Sequence, residues 1–399
     1  MDLSFDVIST AYPWALLLLA AASLTLVTST IGTYFKVHRA VEGVQNPLID
    51  LQKTPQLRSS VKQESRDSDE KPEDAYYNIE PLEDFDVDAE EPIKARPFKP
   101  KFHMTMAIEN MTLSDLVAMD NTYRSRIQVR RELLADTHHE VIGTNPKASP
   151  AVFELYTWLT QTYLPSRFPT MFTTTPTGLL NKITYETLPP TPSSATHALE
   201  IIGAHIDDEF LILLPSSQPE DEGKYRLEAF LTCFPSGFRT RNKLGLLLAD
   251  IHGPVPHYKQ KLERSMDKFF ATLPTGRIVR RWNWAITTTG DLFCVHGNHA
   301  TKDEVERNAG EEVNLNTTFL RCERQTLHRL PQTGAVVFAF KTYQYPVQEL
   351  RDEGSGDALC EAIDGMGTGS APEITVYKKQ VVWGEKVKAF LRGEIEVDA

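Results

Sequence analysis

The sequence predicts an α+β domain built on an antiparallel sheet with flanking helices, preceded by one apolar span and an acidic linker. Two observations carry this. Strand-like runs follow one another in the second half of the chain, without the strict strand–helix alternation of a parallel sheet. The 399 residues, 41% hydrophobic and 24% charged, are enough for one large or two medium packed domains.

Residues 1–11 form a short N-terminus carrying Asp2 and Asp6 and no base. Tyr12 to Phe35 follows, 24 residues without a charge. As a helix it measures about 36 Å, against about 30 Å of bilayer hydrocarbon. Trp14 at one end and Tyr34 with Phe35 at the other suit the interfaces, and the acidic start argues against a cleaved signal peptide. Lys36 and Arg39 lie just beyond the span, which places later residues on the cytosolic side and residues 1–11 in the lumen. The expectation is a single-pass membrane protein of the endoplasmic reticulum, anchored through residues 12–35, with its globular domain facing the cytosol.

Residues 36–96 are polar, acidic and broken by prolines, and predict a disordered tether. Between Val61 and Glu91 thirteen acids meet three bases, a net −10. The whole chain is −12, so the rest is −2 and offers no surface for a polyanion; nucleic acid is excluded as a partner. The domain is expected over 97–399. Within it, helices are predicted over Leu113–Thr137, from Ser149 as N-cap with Pro150 behind it, and over His257–Leu273. Phe210–Pro215 and Tyr225–Phe234 read as a hairpin, and RIVRRWNWAIT, TFLRCERQTLHRL and GAVVFAFKTYQY as three further strands.

Several chemistries are excluded. The four cysteines are scattered without a CxxC pair, which removes thiolate-held zinc, iron–sulfur clusters and a disulfide framework. There is no GxGxxG, no phosphate-binding GxxxxGK[ST] and no GxSxG elbow. Any dinucleotide chemistry must come from another protein.

His252, in ADIHGPVPHY, is the first candidate. A lone histidine is ordinarily structural, but the Gly-Pro-Val-Pro run restricts the backbone beside it, as a ligand needs. His257 starts the next helix. In LRCERQTLHRL, alternation puts Arg321, Glu323 and Gln325 on one face and Cys322 with Arg324 on the other. A solvated edge strand and an electropositive wall for carboxylates are both open readings. Asn283, between Trp282 and Trp284, points away from both and could line a pocket. Asp207, Asp208 and Glu209 read as a solvated loop.

Four long blocks, FHMTMAIENMTLSDLVAMDNTYRSRIQVRRELL, CFPSGFRTRNKLGLLLADIHGPVPHY, DKFFATLPTGRIVRRWNWAI and ERQTLHRLPQTGAVVFAFKTY, resemble the haem-dependent oxidative N-demethylase family, in order and across nearly all of the domain. The resemblance implies a PAS-like sheet holding haem b through its iron. It also implies O2-dependent removal of a methyl group from a small amine, with formaldehyde released. Electrons are implied to reach it from an external NADPH-dependent reductase with flavin and iron–sulfur components. His252 is then the implied iron ligand, and Arg321, Arg324 and Arg329 are candidates for the haem propionates. Asn283, Tyr123 and Glu323 are candidates for catalytic groups. His328 stands where the related pattern often has arginine, and no role is assigned to it. The competing expectations are a non-catalytic PAS-like sensor of haem or another ligand, and a membrane-tethered interaction scaffold.

Overall fold

The computed structural model describes residues 71–307 and 312–396. The expected span at residues 12–35 lies outside them, and so do residues 36–70 of the expected tether. Among the described residues no helix is long and apolar enough to cross a membrane, and the single-pass membrane placement is withdrawn on that finding.

The acidic segment from Pro72 onward is not a tether. Tyr76, Ile79, Val87 and Ala95 are buried, and the Tyr76 hydroxyl donates to the Arg329 carbonyl. A few apolar residues spaced among many acids are enough to hold an irregular segment on a core, so the domain begins near residue 72 rather than 97.

The frame is a seven-stranded sheet. Its strands are β1 (Glu109–Met111), β2 (Ile142–Thr144), β6 (Glu209–Pro215), β7 (Tyr225–Leu231), β8 (Ile278–Thr287), β9 (Phe319–Arg329) and β10 (Val336–Pro346), while β3 (Phe172–Thr175), β4 (Gly178–Asn181) and β5 (Glu186–Leu188) form a small second sheet. The order across the large sheet is β1-β8-β9-β10-β6-β7-β2, with every neighbouring pair antiparallel. The five long strands are those read from the sequence, and the α+β expectation holds.

Period-two alternation divides the sheet residues between two faces. On the back, Phe210, Ile212, Ala229, Leu231, Val337 and Ala339 meet helices α1 (Tyr123–Asp136), α2 (Ser149–Trp158) and α3 (Ala195–His205). Further along the same face, Leu320, Cys322, Tyr343 and Tyr345 pack with α5 (Gly356–Gly367) and α6 (Gln380–Leu391). On the front, Leu213, Leu227, Val279, Leu327 and Val336 pack with the one-turn helix Leu248–Ile251 and with α4 (Glu263–Thr272).

Helix α1 starts ten residues later than the stripe from Leu113 suggests. The Asp120 side chain accepts from the Thr122 amide at 3.0 Å and from its hydroxyl, a local turn that competes with the helix. Ser149 is the first helical residue and Ala148 the cap.

Asp207, Asp208 and Glu209 are 2%, 2% and 1% exposed, not a solvated loop. Burial pushes the Asp208 carboxyl up to about 8. The Glu209 carboxylate accepts from the Cys233 amide at 2.6 Å and pairs with Arg130, whose guanidinium also donates to the Gly203 and Asp208 carbonyls. Replacing Arg130 with Met strands that carboxylate in the core. The expected cost is about 3–5 kcal/mol in unfolding free energy by denaturant titration. A loss under about 1 kcal/mol would mean the pair is not a keystone of the back face.

Candidate functional site

The front face is where chemistry collects. The segment Leu248–Ile251 makes one helical turn, and His252 caps it at φ −95° and ψ 5°. Its amide donates to the Leu248 carbonyl at 3.1 Å, and its Nδ1 contacts the same oxygen at 2.8 Å. A carbonyl only accepts, so Nδ1 carries the proton and Nε2 keeps its lone pair. The ring stacks on Tyr258, with centroids 4.7 Å apart and planes 11° apart. Burial pushes the imidazole down to about 4, and Lys243 and Arg281 push the same way against the Leu248 hydrogen bond. The side chain is therefore neutral at physiological pH, with one nitrogen anchored and the other free to ligate.

His257 is excluded from that role. It takes a left-handed backbone, φ 59°, at the start of the helical turn Tyr258–Lys261, and its Nε2 is 2.8 Å from Glu373 Oε2.

Around His252 lies an excess of cations. Lys243 ends a short 3-10 helix, with its Nζ 3.7 Å from the Phe238 ring centroid. Burial pushes it down to about 8, opposed by Glu323. Arg281 lies on the front of β8, and among the described residues no hydrogen bond or ion pair satisfies its guanidinium; its Nε is buried without a partner there. Burial lowers its pKa, again against Glu323. Lys378 reaches in from beyond the turn Ile374–Tyr377 to the Asn283 Oδ1 at 3.4 Å and the Trp284 carbonyl. It too is pushed down to about 8, by burial and then by Arg281. His299, stacked on Tyr377 at 4.4 Å, is held near 4 by burial and by Lys378 and Lys243.

Among these groups Glu323 is the carboxylate. Cross-strand register sets Asn283 opposite Glu323 and Arg281 opposite Gln325. The Glu323 Oε2 accepts from Asn283 Nδ2 at 3.3 Å and Gln325 Nε2 at 2.8 Å, and its Oε1 makes no hydrogen bond among the described residues.

The other sequence candidates are occupied elsewhere. Tyr123 is buried on the back face, donating to the His205 carbonyl at 2.8 Å and accepting from Asn181 at 2.8 Å, which takes it out of the catalytic set. Arg324 donates to the Leu116 and Asp115 carbonyls, also on the back. Arg329 is spent on the carbonyls of Leu273, Gly334 and Phe270 and on the Tyr225 hydroxyl. Arg321 is on the front, but its terminal nitrogens go to the Phe234, Pro235, Asp291 and Leu292 carbonyls and the Thr342 hydroxyl. These guanidiniums tie loops to strands. Among the described residues the cations of this face with neither a hydrogen bond nor an ion pair are Lys243 and Arg281; neither was among the sequence candidates for the site, although Arg281 stands in RRWNWAI and lies on Asn283's face.

Residues 107–388 match the family described as HODM_asu-like, the haem-dependent oxidative N-demethylase alpha subunit-like proteins. The chain belongs to this family. Its haem dependence and oxidoreductase character agree with the front face. A lone neutral imidazole suits an iron whose other ligands come from a macrocycle, and no three His, Cys, Asp or Glu side chains gather into a metal cage among the described residues. Leu211, Leu244, Ile251 and Phe338 are only partly buried there and offer apolar surface. Two cations without anions, Lys243 and Arg281, await carboxylates, which haem carries as propionates. The residues fit the group.

Proposed function

We propose that this member of the family carries out oxidative N-demethylation, or a closely related monooxygenation, of a small amine, using O2 and electrons from a separate reductase. The observation that carries the proposal is the His252 imidazole, pinned through Nδ1 and free at Nε2 beside unpaired cations. The five long antiparallel strands, with helices on the back and the turn Leu248–Ile251 and α4 on the front, support the PAS-like reading.

Haem b, held by His252 through its iron and by Lys243 and Arg281 through its propionates, would supply O2 binding and oxidising power. The chain's own residues do the rest. The Leu248 carbonyl orients the ligating ring and sets its tautomer. Asn283 and Gln325 hold the Glu323 Oε2, leaving Oε1 to accept an N–H from the amine and to take or return a proton. Phe338 and Leu211 keep water from the reacting C–H. Arg321 fixes the loops that close this end of the face.

The full-length protein, loaded with haem and supplied with NADPH and a flavin/iron–sulfur reductase, is expected to release one formaldehyde per amine consumed. A Soret band without formaldehyde across a panel of methylated amines would leave the non-catalytic sensor. Turnover with NADPH and no reductase would overturn the need for a partner.

A further inference from the structure

Asn283 joins an acid to a base on the front face. Its Nδ2 donates to the Glu323 Oε2 at 3.3 Å, and its Oδ1 accepts from the Lys378 Nζ at 3.4 Å. A carboxylate only accepts and an ammonium only donates, so the amide sits this way round. Lys378 donates a second hydrogen bond to the Trp284 carbonyl, which leaves one of its three N–H bonds for a ligand among the described residues. Glu323 likewise keeps Oε1, since Asn283 and Gln325 share its Oε2. The line Glu323–Asn283–Lys378 therefore ends in an open acceptor and an open donor of opposite charge. Both ends are only 8% exposed, so water screens them little.

The face is also short of negative charge. Glu323 is the carboxylate that acts on Lys243, Arg281, Arg321 and Lys378 alike, favouring the charged form of each. Glu209, which also acts on Arg321, is committed to Arg130 and the Cys233 amide. Two haem propionates and Glu323 answer three of the four cations. One positive charge is left, and Lys378 is the cation joined through Asn283 to the acceptor for the amine.

We infer that the substrate is a zwitterion, an N-methylated α-amino acid, with its carboxylate held by Lys378 and its ammonium by Glu323. The inference rests on the reading of this face as the amine site of a haem enzyme. The match is one of spacing as well as charge. In the Asn283 amide a single carbon separates oxygen from nitrogen, and in an α-amino acid a single carbon separates the ammonium from the carboxylate group. Such a ligand lies along Asn283 with each end on the opposite charge. A simple methylamine engages Glu323 alone and leaves Lys378 without an anion. For N-methylglycine, one O2, two electrons from the reductase and two protons give glycine, formaldehyde and water. One oxygen atom goes to the methyl carbon and the other to water, the C–N bond breaks, and the nitrogen keeps its electron pair.

The test uses the full-length haem-loaded protein, with N-methylglycine, N-methylglycinamide and dimethylamine as probes. Calorimetry measures affinity, and the shift of the Soret band reads binding a second way. Wild type is expected to bind N-methylglycine about tenfold more tightly, or better, than either probe that lacks the carboxylate, since that group supplies the charged hydrogen bond to Lys378. K378M is expected to bring the three affinities together, and K378R, which keeps the charge, to retain part of the preference. The comparison among probes needs no variant, so it decides the matter even if K378M fails to fold. Equal wild-type affinities for N-methylglycine and N-methylglycinamide overturn the inference, and so does a preference that survives in K378M. Formaldehyde from dimethylamine with no preference for N-methylglycine overturns the inference alone and leaves N-demethylation standing. A preference that K378M loses, with no formaldehyde from any probe, overturns the reaction and leaves the zwitterion site.

Discussion

Replacing His252 with alanine is expected to abolish the iron-ligated Soret spectrum of the haem-loaded protein and to weaken haem retention by more than about 100-fold. Even partners that only orient a ligand are worth about 10–100-fold in metal affinity, and His252 is placed to be the ligand itself. No neighbour can substitute. His257 is engaged by Glu373, and His299 is stacked on Tyr377 among cations. His257→Ala is accordingly expected to leave the spectrum unchanged. Added imidazole is expected to restore a six-coordinate spectrum in the His252→Ala variant, because the space left by the ring admits the free ligand. A ligand spectrum that survives in His252→Ala would move ligation elsewhere, and one lost in His257→Ala would move it five residues along the chain.

The neighbouring prolines play a smaller part than their stiffness suggests. What holds the ring is the last turn of a four-residue helix, whose Leu248 carbonyl takes both the amide and the Nδ1 proton of His252. The Gly253–Pro254 step ends that turn, and the Val255 amide closes the next onto the His252 carbonyl at 2.9 Å. Ile251→Pro is the informative perturbation, since it keeps the imidazole and removes the amide that bonds the Leu247 carbonyl in the turn that aims it.

The parts of this molecule legible in its sequence were those governed by short-range periodicity. Alternation found the five long strands and separated Trp282 and Trp284 from Asn283, and the structure puts the tryptophans against the C-terminal helices and Asn283 on the front face. Alternation also assigned Arg321 and Arg324 to opposite faces. It could not show that both guanidiniums would be consumed by carbonyls from loops 29 or more residues away, because that depends on where distant backbone arrives. Lys378 is the clearest case. It follows a helical turn with no pattern of its own, and only tertiary packing delivers its amine to Asn283. The acidic stretch from Pro72 to Ala95 misled for the opposite reason: composition averaged over it hid four apolar residues that bury.

The second large effect concerns the two unpaired cations. Lys243→Met and Arg281→Met are each expected to weaken haem binding by about 10–100-fold, since a hydrogen bond to a charged group contributes about 1.5–3 kcal/mol. The same change at Arg281 acts in the opposite direction without haem. A guanidinium buried with no partner costs the fold, so Arg281→Met is expected to raise the melting temperature of the haem-free protein while lowering haem affinity. A merely structural arginine, such as Arg329 with its carbonyl partners, would lose stability in both states. The pH dependence carries its own sign. Burial lowers the Lys243 amine to about 8, so in the haem-free protein it is charged below pH 8 and neutral above. A bound carboxylate favours the charged amine and raises its pKa. Haem affinity should therefore be flat below pH 8 and fall by about tenfold per pH unit above it, with one proton taken up on binding. Lys378, also near 8 and next to Arg281, can add a second proton to that uptake. Calorimetry at pH 9 in two buffers of different ionisation enthalpy measures the uptake directly. Lys243→Met should remove one proton from it, and an uptake unchanged in that variant would show that Lys243 does not face the propionates.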